Sequence, residues 1–316
     1  MDSEKSTRQN KISNQVLKLT APFITKSHTY IFNLCIEKNV FPSQFQKAKV
    51  IPLSKTRYHK NLNDYRSISL LSVLSKLLER HVHKNLVTYL ETRDLFHPLQ
   101  SGFCRKHSCN TALSRLTDSW LSAINRSDLS GDVFLDLQKA FDLVDHRILL
   151  PKVSVYLNSS NSLRFISSYL KNRVQRVFIR GSYSSEGTVK YGVPEGSVLG
   201  PVLFCIYIND LPLQIPSNSA EWHMLADDTT LHTTGKNVVQ IRISVWCNIN
   251  HIFINPVKTK SMIITTRQKH QLSDLSLRLS LDGQNIENVT EHRLLSLIVD
   301  NKFRWQAQIK HICKSM

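Results

Sequence analysis

The feature that constrains this chain most is an apolar run that ends on an acid. Gly131-Asp132-Val133-Phe134-Leu135-Asp136-Leu137 has the composition of a strand and sets Asp136 near its C-terminal end. An unpaired carboxylate is costly to bury, so this strand must bring its acid to a rim or a partner. Further on, Trp222-His223-Met224-Leu225-Ala226-Asp227-Asp228-Thr229-Thr230-Leu231 reads as two short strands hinged on an acidic pair. Carboxylates brought together raise one another's pKa, and such a cluster persists with a compensating cation. Mg²⁺ suits it, because one or two carboxylates plus substrate phosphates satisfy that ion. Two such ions about 3.5–4 Å apart activate an attacking hydroxyl and stabilise a leaving oxygen in phosphoryl transfer. An Asp-Asp pair is equally the composition of a solvated Asx turn, and Asp136 alone reads as a satisfied core acid. The conjunction of strand acid and acidic hairpin in one basic chain is what points to a metal.

That basic balance is 41 Lys+Arg against 24 Asp+Glu in 316 residues, a formal charge of +17. Such a potential attracts polyanions, either nucleic acid or an acidic membrane surface, unless the surface is basic and indifferent. The cations recur through the first half (Lys47, Lys49, Lys55, Arg66, Lys76, Arg80) rather than forming a tail. Phosphate contacts made this way would be strongly salt-dependent. The length suggests two domains or one large divided one, with core enough to need no staples. Collagen-like and disordered classes are excluded by composition. The longest apolar stretch, Val198 to Ile208, is about half a membrane crossing and contains Gly200 and Pro201. The opening MDSEKSTRQNK has no apolar signal core. Six scattered cysteines without a CxxC pair read as reduced thiols, and no HExxH accompanies the 13 histidines.

The apolar spacing predicts helices over 11–40 (two pieces split at Pro22), 69–92 and 110–124, and over much of 139–155 up to Pro151. Strands are expected at 49–53, 131–137, 174–179, 188–191 and 261–265, with a pair at 275–281 and 284–289. Gly192-Val193-Pro194-Glu195-Gly196-Ser197 reads as a loop whose Ser197 caps a helix through Ile206. A short helix near 238–250 and a last one at the end complete the pattern. Helices and strands interleave irregularly, which favours α+β over a doubly wound sheet.

In order along the chain stand Phe134-Leu135-Asp136-Leu137-Gln138-Lys139-Ala140-Phe141-Asp142, Gly192 to Pro201, Ala226-Asp227-Asp228 and Ile254-Asn255-Pro256-Val257-Lys258-Thr259-Lys260. With the upstream Lys49 to Lys55 and Asp64 to Leu71, this series resembles the reverse transcriptases of non-LTR (LINE-type) retrotransposons, over roughly residues 30–310. The resemblance implies a right-hand polymerase with fingers, a truncated thumb and a palm whose antiparallel sheet is backed by helices. The expected divisions are an N-terminal helical extension (1–44), fingers and palm (45–270), and a connection with the start of the thumb (271–316). It implies that Asp136, Asp227 and Asp228 hold two Mg²⁺ ions, with Mn²⁺ as a substitute. Lys55 and Arg66 would grip the incoming triphosphate, suited to it as point charge and fork. Phe141 would be the gate that collides with a ribose 2′-hydroxyl; an amphipathic core Phe is the other reading. Glu195 and Gly196 would lie beside the nascent pair, although a loop with a helix cap explains the glycines equally. Lys258 would protonate the departing pyrophosphate, with Lys260 close by as a rival. RNA template, DNA primer and dNTP are the implied partners, no membrane is involved, and a nuclear and cytoplasmic location is expected.

Several positions depart from the family pattern. Glu195 replaces the usual Gln, Leu225 the usual aromatic, Ser67 the Pro after Arg66, and Cys104 a common basic residue; the stretch from Asp228 to Asn255 is short. These suggest a diverged copy that keeps its acidic triad. The alternatives are a catalytically inactive copy that only binds RNA or DNA, and a metal-dependent nuclease on the same acids. No endonuclease-like segment precedes Lys49 and the last helix stops at Met316, so low processivity and dependence on a supplied nick are expected.

Overall fold

The computed structural model describes residues 14–55, 61–104, 107–214, 220–235, 244–265, 279–281 and 283–315. In chain order the elements begin with α1 (Asn14–Glu37), β1 (Lys47–Ser54), β2 (Tyr65–Leu70), α2 (Val73–Thr92), α3 (Cys109–Asn125) and β3 (Leu129–Asp136). There follow α4 (His146–Tyr156), α5 (Ser160–Leu170), β4 (Val174–Ile179), β5 (Ser182–Tyr183), β6 (Gly187–Thr188) and α6 (Gly200–Ile208). Next come β7 (Glu221–Leu225), β8 (Asp228–Gly235), α7 (Ser244–Ile249), β9 (Lys260–Ile264), β10 (Ser280–Leu281), β11 (Gln284–Asn285) and β12 (Glu287–Asn288). A hairpin of β13 (Glu291–Leu294) and β14 (Leu297–Asp300) precedes α8 (Gln306–Ser315). The chain forms two compact units, Met1–Leu95 with Phe141–Tyr207, and Phe96–Ala140 with Ile208–Met316.

The first unit carries a sheet in the order β2-β1-β4-β5, with β6 also on β4. β1 runs antiparallel to β2 and parallel to β4, whose pairing reaches only Val50. Pro52 is tolerated for that reason: it lies past the last residue that needs a bond on the β4 side. Along α2, Leu78, Leu86, Val87 and Leu90 are buried at helical spacing. Buried among them, Glu79 accepts from the Ser75 hydroxyl (2.8 Å) and from the amides of Val198 (2.7 Å) and Leu199 (3.2 Å). Helix α6 begins at Gly200, later than expected: Ser197 Oγ accepts from the Gly200 amide at 2.9 Å, while Val198 and Leu199 lie ahead of the helix and give their amides to Glu79. From Val202 to Ile208 every side chain is buried, which accounts for a helix apolar all round and too short to span a bilayer. Among the described residues no helix is long and apolar enough to cross a membrane.

Several expected helix boundaries are corrected. α1 continues through Pro22; Pro22 and Lys18, the residue whose carbonyl loses its partner, are both exposed and can be hydrated. Residues 139–145 are not helical, because Lys139 takes a φ of 43°, outside the right-handed region. Helix α4 starts after Asp145, which accepts from the Arg147 amide at 2.8 Å, and it too runs through its proline, Pro151. The expected strand at 188–191 reduces to Gly187–Thr188, and helix 69–92 begins only at Val73 because Ser69 and Leu70 belong to β2. Much of the expected strand at 275–281 and the first half of helix 238–250 lie outside the described residues.

The second unit is built on a sheet in the order β12-β9-β3-β8-β7. Its pairings are antiparallel except β12 on β9. Alternation places Ser130, Asp132, Phe134 and Asp136 on one face of the central strand. Leu116 and Trp120 of α3 cover that face together with Phe134, Met262, Ile264, Leu294 and Val299. Trp120 is wholly buried and meets Phe303 edge-on at 5.9 Å.

Candidate active site

In the second unit β3 and β8 pair antiparallel with Asp136 directly opposite Asp228. Directly opposed residues carry their Cβ atoms roughly 4.5–5.5 Å apart on one face. The hairpin closes with Leu225 opposite Asp228, so Ala226 and Asp227 form a two-residue turn. Ala226 has φ 57°, the positive value that a primed hairpin turn demands at its first position. The acidic pair thus divides, with Asp227 in the turn and Asp228 opening β8. Asp136 and Asp227 are half-buried and Asp228 is exposed.

Backbone bonds fix Asp136 on its other side. Its amide donates to Thr259 Oγ1 (3.2 Å) and its carbonyl accepts from the Asn255 amide (2.8 Å). The Gln138 amide donates to the Phe253 carbonyl at 2.7 Å, and Leu137 bridges Ile254. The segment carrying Lys258 is therefore anchored on the peptide of Asp136 itself. Asn255 Oδ1 accepts from the amides of Val257 (3.1 Å) and Lys258 (3.3 Å), an Asx turn that leaves Lys258 exposed. Lys260 differs: its ammonium pairs with Glu287 at 2.6 Å.

The turn is also held from outside the hairpin. Gln100 Oε1 accepts from the amides of Gly102 (2.7 Å) and Ala226 (3.3 Å), and the Ser101 amide donates to the Met224 carbonyl at 2.7 Å. A Cβ at Gly102 would run into the backbone nitrogen of Ala226. Sequence reasoning missed this clamp; a glycine two residues after a glutamine was its only signal.

The Asp136 carboxylate receives no hydrogen bond among the described residues. Like charges directly opposed across a sheet destabilise it, so Asp136 and Asp228 create a local demand for positive charge. All three acids offer the hard oxygen donors that Mg²⁺ takes, with waters or substrate oxygens completing its shell. The donor set fits such an ion, although no three His, Cys, Asp or Glu side chains among the described residues gather into a ready-made cage.

The other predicted residues belong to the first unit. Arg66 sits on β2 opposite Leu53, and Lys55 directly follows the end of β1, the strand that pairs with β2. Both are exposed. Arg66 Nε pairs with Glu195 Oε1 at 3.2 Å. Glu195 is brought there by its backbone, whose carbonyl accepts from the Ser69 amide at 2.8 Å. Next to it, Gly196 has φ 105°, and a Cβ there would stand 2.8 Å from the Ser69 carbonyl oxygen, so the close approach requires glycine. Phe141 is half-buried and stacks on Phe204, with centroids 4.7 Å apart and planes 27° apart.

A family model described as reverse transcriptase (RNA-dependent DNA polymerase) matches residues 55–308. The chain belongs to the reverse transcriptase family. It is 29% identical over 322 residues to the probable RNA-directed DNA polymerase from transposon BS of Drosophila melanogaster, covering 97% of this chain and 35% of that protein. The RNA-directed DNA polymerase from the mobile element jockey, also of Drosophila melanogaster, is 26% identical over 324 residues, at 98% and 35% coverage. The chain spans about a third of the length of those relatives. Among solved structures, apo telomerase from Candida tropicalis superposes with a TM-score of 0.55 at 13% identity, over 84% of this chain and 55% of that one. Telomerase from Candida albicans, in complex with a fragment of telomeric RNA, gives 0.55 at 15% identity over 92% and 51%. At such identities the likeness is one of fold, and it agrees with the α+β polymerase expected from the sequence.

Proposed function

We propose that this chain is the polymerase portion of a non-LTR retrotransposon protein and extends a primer 3′-hydroxyl with dNTP on an RNA template. The supporting observation is the opposition of Asp136 to Asp228, with Asp227 in the adjoining turn, in a chain of the reverse transcriptase family. Asp136, Asp227 and Asp228 would hold two Mg²⁺ ions, which when bound supply Lewis acidity at the attacking and leaving oxygens. Mn²⁺ is a substitute of the same hard-oxygen preference. Lys258, exposed on a turn tied to Asp136, carries the proton for the pyrophosphate. In the first unit Arg66 and Lys55 supply positive charge to the triphosphate, and Phe141, held against Phe204, excludes a 2′-hydroxyl. Residues 45–270 would then be fingers and palm, preceded by a helical extension and followed by the start of a thumb. The net charge of +17 supports a nucleic-acid partner.

One observation favours a second reading, a copy that binds RNA or DNA without synthesis: Arg66 is engaged by an internal carboxylate, Glu195. Primer extension on poly(rA)/oligo(dT) with dTTP and Mg²⁺ separates the two. The polymerase reading expects incorporation that Asp227→Ala abolishes while salt-sensitive RNA binding persists. Equal incorporation by both proteins would refute the site, and none by either would favour the binding reading.

A further inference from the structure

Beneath the two opposed acids, on the same face of the same strand pair, lies a third carboxylate, which the mechanism does not use. Asp132 is completely buried and stands opposite His232 in the β3–β8 ladder. His232 Nδ1 and Asp132 Oδ1 are 2.9 Å apart, with both side chains at most 3% exposed. The other oxygen, Oδ2, accepts from Trp120 Nε1 of α3 (3.0 Å) and from Ser130 Oγ (3.2 Å), and that hydroxyl also lies 3.3 Å from His232 Nδ1. Asp132 and Asp136 are separated by two pleats, as are His232 and Asp228, with the Phe134–Thr230 pair between them. The distance along the strand is about 13 Å, at roughly 3.3 Å per residue.

A buried ion pair adds little net stability, because desolvation offsets the Coulomb gain, but it can select one arrangement among several. Here the alternatives are explicit. A slip of one residue sets Asp132 opposite Leu231 or Thr233 and turns one strand's side chains to the other face. A slip of two keeps the faces but leaves Asp132 opposite Thr230 or Thr234. Every shifted register removes Asp136 from Asp228 and leaves a buried carboxylate without its imidazole. The neighbouring residues discriminate less: β8 reads Asp-Thr-Thr-Leu-His-Thr-Thr-Gly, so within each Thr-Thr pair a slip of one sets threonine where threonine stood.

We propose that Asp132 and His232 are positioning residues, whose buried pair sets the β3–β8 register that holds Asp136 opposite Asp228. The role assigned to those acids rests on the function proposed above; the register claim does not. Directly opposed strand residues lie within disulfide reach. The test therefore places Asp136→Cys and Asp228→Cys in the full chain and measures oxidative cross-linking by peptide mass spectrometry. With Asp132 and His232 intact, the 136–228 link should dominate. In the Asp132→Leu/His232→Leu background its yield should fall about threefold or more as registers mix. Asp132→Asn, which keeps an oxygen for Trp120 and Ser130, should retain most of it. His232→Phe serves as a second variant that removes only the donor.

An unchanged yield in the apolar variants would overturn the proposal. So would failure of all of them to fold, since the pair would then be a source of stability and not of register. In the protein with its acids restored, Asp132→Leu/His232→Leu should lower kcat for dNTP incorporation and leave the dNTP KM unchanged. If the wild-type chain incorporates nothing, the polymerase reading fails while the cross-link still decides the register.

Discussion

The Arg66–Glu195 pair carries the most specific kinetic prediction, the effect of Glu195→Gln. The pair is 3.2 Å long, with the arginine side chain 61% and the glutamate 31% exposed. Pairs exposed to this extent are worth about 0.2–1 kcal/mol. Releasing Arg66 should therefore favour triphosphate binding by up to about fivefold, at 1.4 kcal/mol per tenfold. Removing a like charge near the phosphates adds a similar small amount. Together these put the fall in dNTP KM at roughly two- to twenty-five-fold, with kcat changed by less than about twofold. The loop should stay in place, because the Glu195 carbonyl, which the substitution leaves intact, accepts from the Ser69 amide. The assay is single-nucleotide extension of poly(rA)/oligo(dT) across dTTP concentrations at low and high KCl, and salt should shrink the effect. Arg66→Ala in the glutamine background should erase the gain, as a double-mutant cycle requires for a coupled pair. A KM that stays the same or rises in Glu195→Gln refutes the competition between Glu195 and nucleotide.

Three further outcomes are expected. Phe141→Ala removes the ring stacked on Phe204; misincorporation of ribonucleotides should rise by about one to two orders of magnitude, the scale of a lost packing discrimination, as read by rNTP/dNTP competition. Gly102→Ala drives a Cβ into the Ala226 backbone, so the acidic turn must shift and incorporation should collapse with the melting temperature lowered by only a few degrees in a thermal scan. Burial lowers the pKa of His223 to about 4, with the nearby His232 adding to it, and burial also lowers that of His292 to about 4, aided by Lys260. The unfolded chain takes up these protons near pH 6.5 and the folded chain only near 4. Stability is then complete above about 6.5 and falls as pH drops towards 4, by on the order of 3 kcal/mol for His223 alone; a flat urea-unfolding midpoint between pH 7 and 4.5 would contradict this.

Local pattern carried the sequence reading where one strand or cap decides the structure. The apolar run into Asp136 and the hairpin around Asp227 both emerge in place, because each is set by neighbours within a few residues. The β13–β14 hairpin and helix α5 are not among the expected elements: β13–β14 is short and mixes polar with apolar residues, whereas α5 does carry a signal, with Phe165, Ile166, Tyr169 and Leu170 buried at helical spacing. The proline breaks failed for a different reason, since solvent can satisfy a carbonyl that a proline leaves unpaired on an exposed helix face. Asp132 and His232 were invisible as a pair. A lone acid in an apolar strand and a histidine among threonines gain meaning only when the register sets them face to face. The same holds for Gln100, whose partners lie across the chain at Gly102 and Ala226, and for Glu195, which reads as a change of residue until Arg66 is seen beside it.

The central claim is that opposed carboxylates from two distant strands form a divalent-cation site. Its most direct measurement is Mn²⁺ titration of the purified chain followed by electron paramagnetic resonance, with Asp136→Asn as the comparison. The wild-type chain should bind Mn²⁺, and Asp136→Asn should bind it at least about tenfold more weakly with an unchanged circular dichroism melt. Equal Mn²⁺ affinity in the two proteins would contradict the assignment.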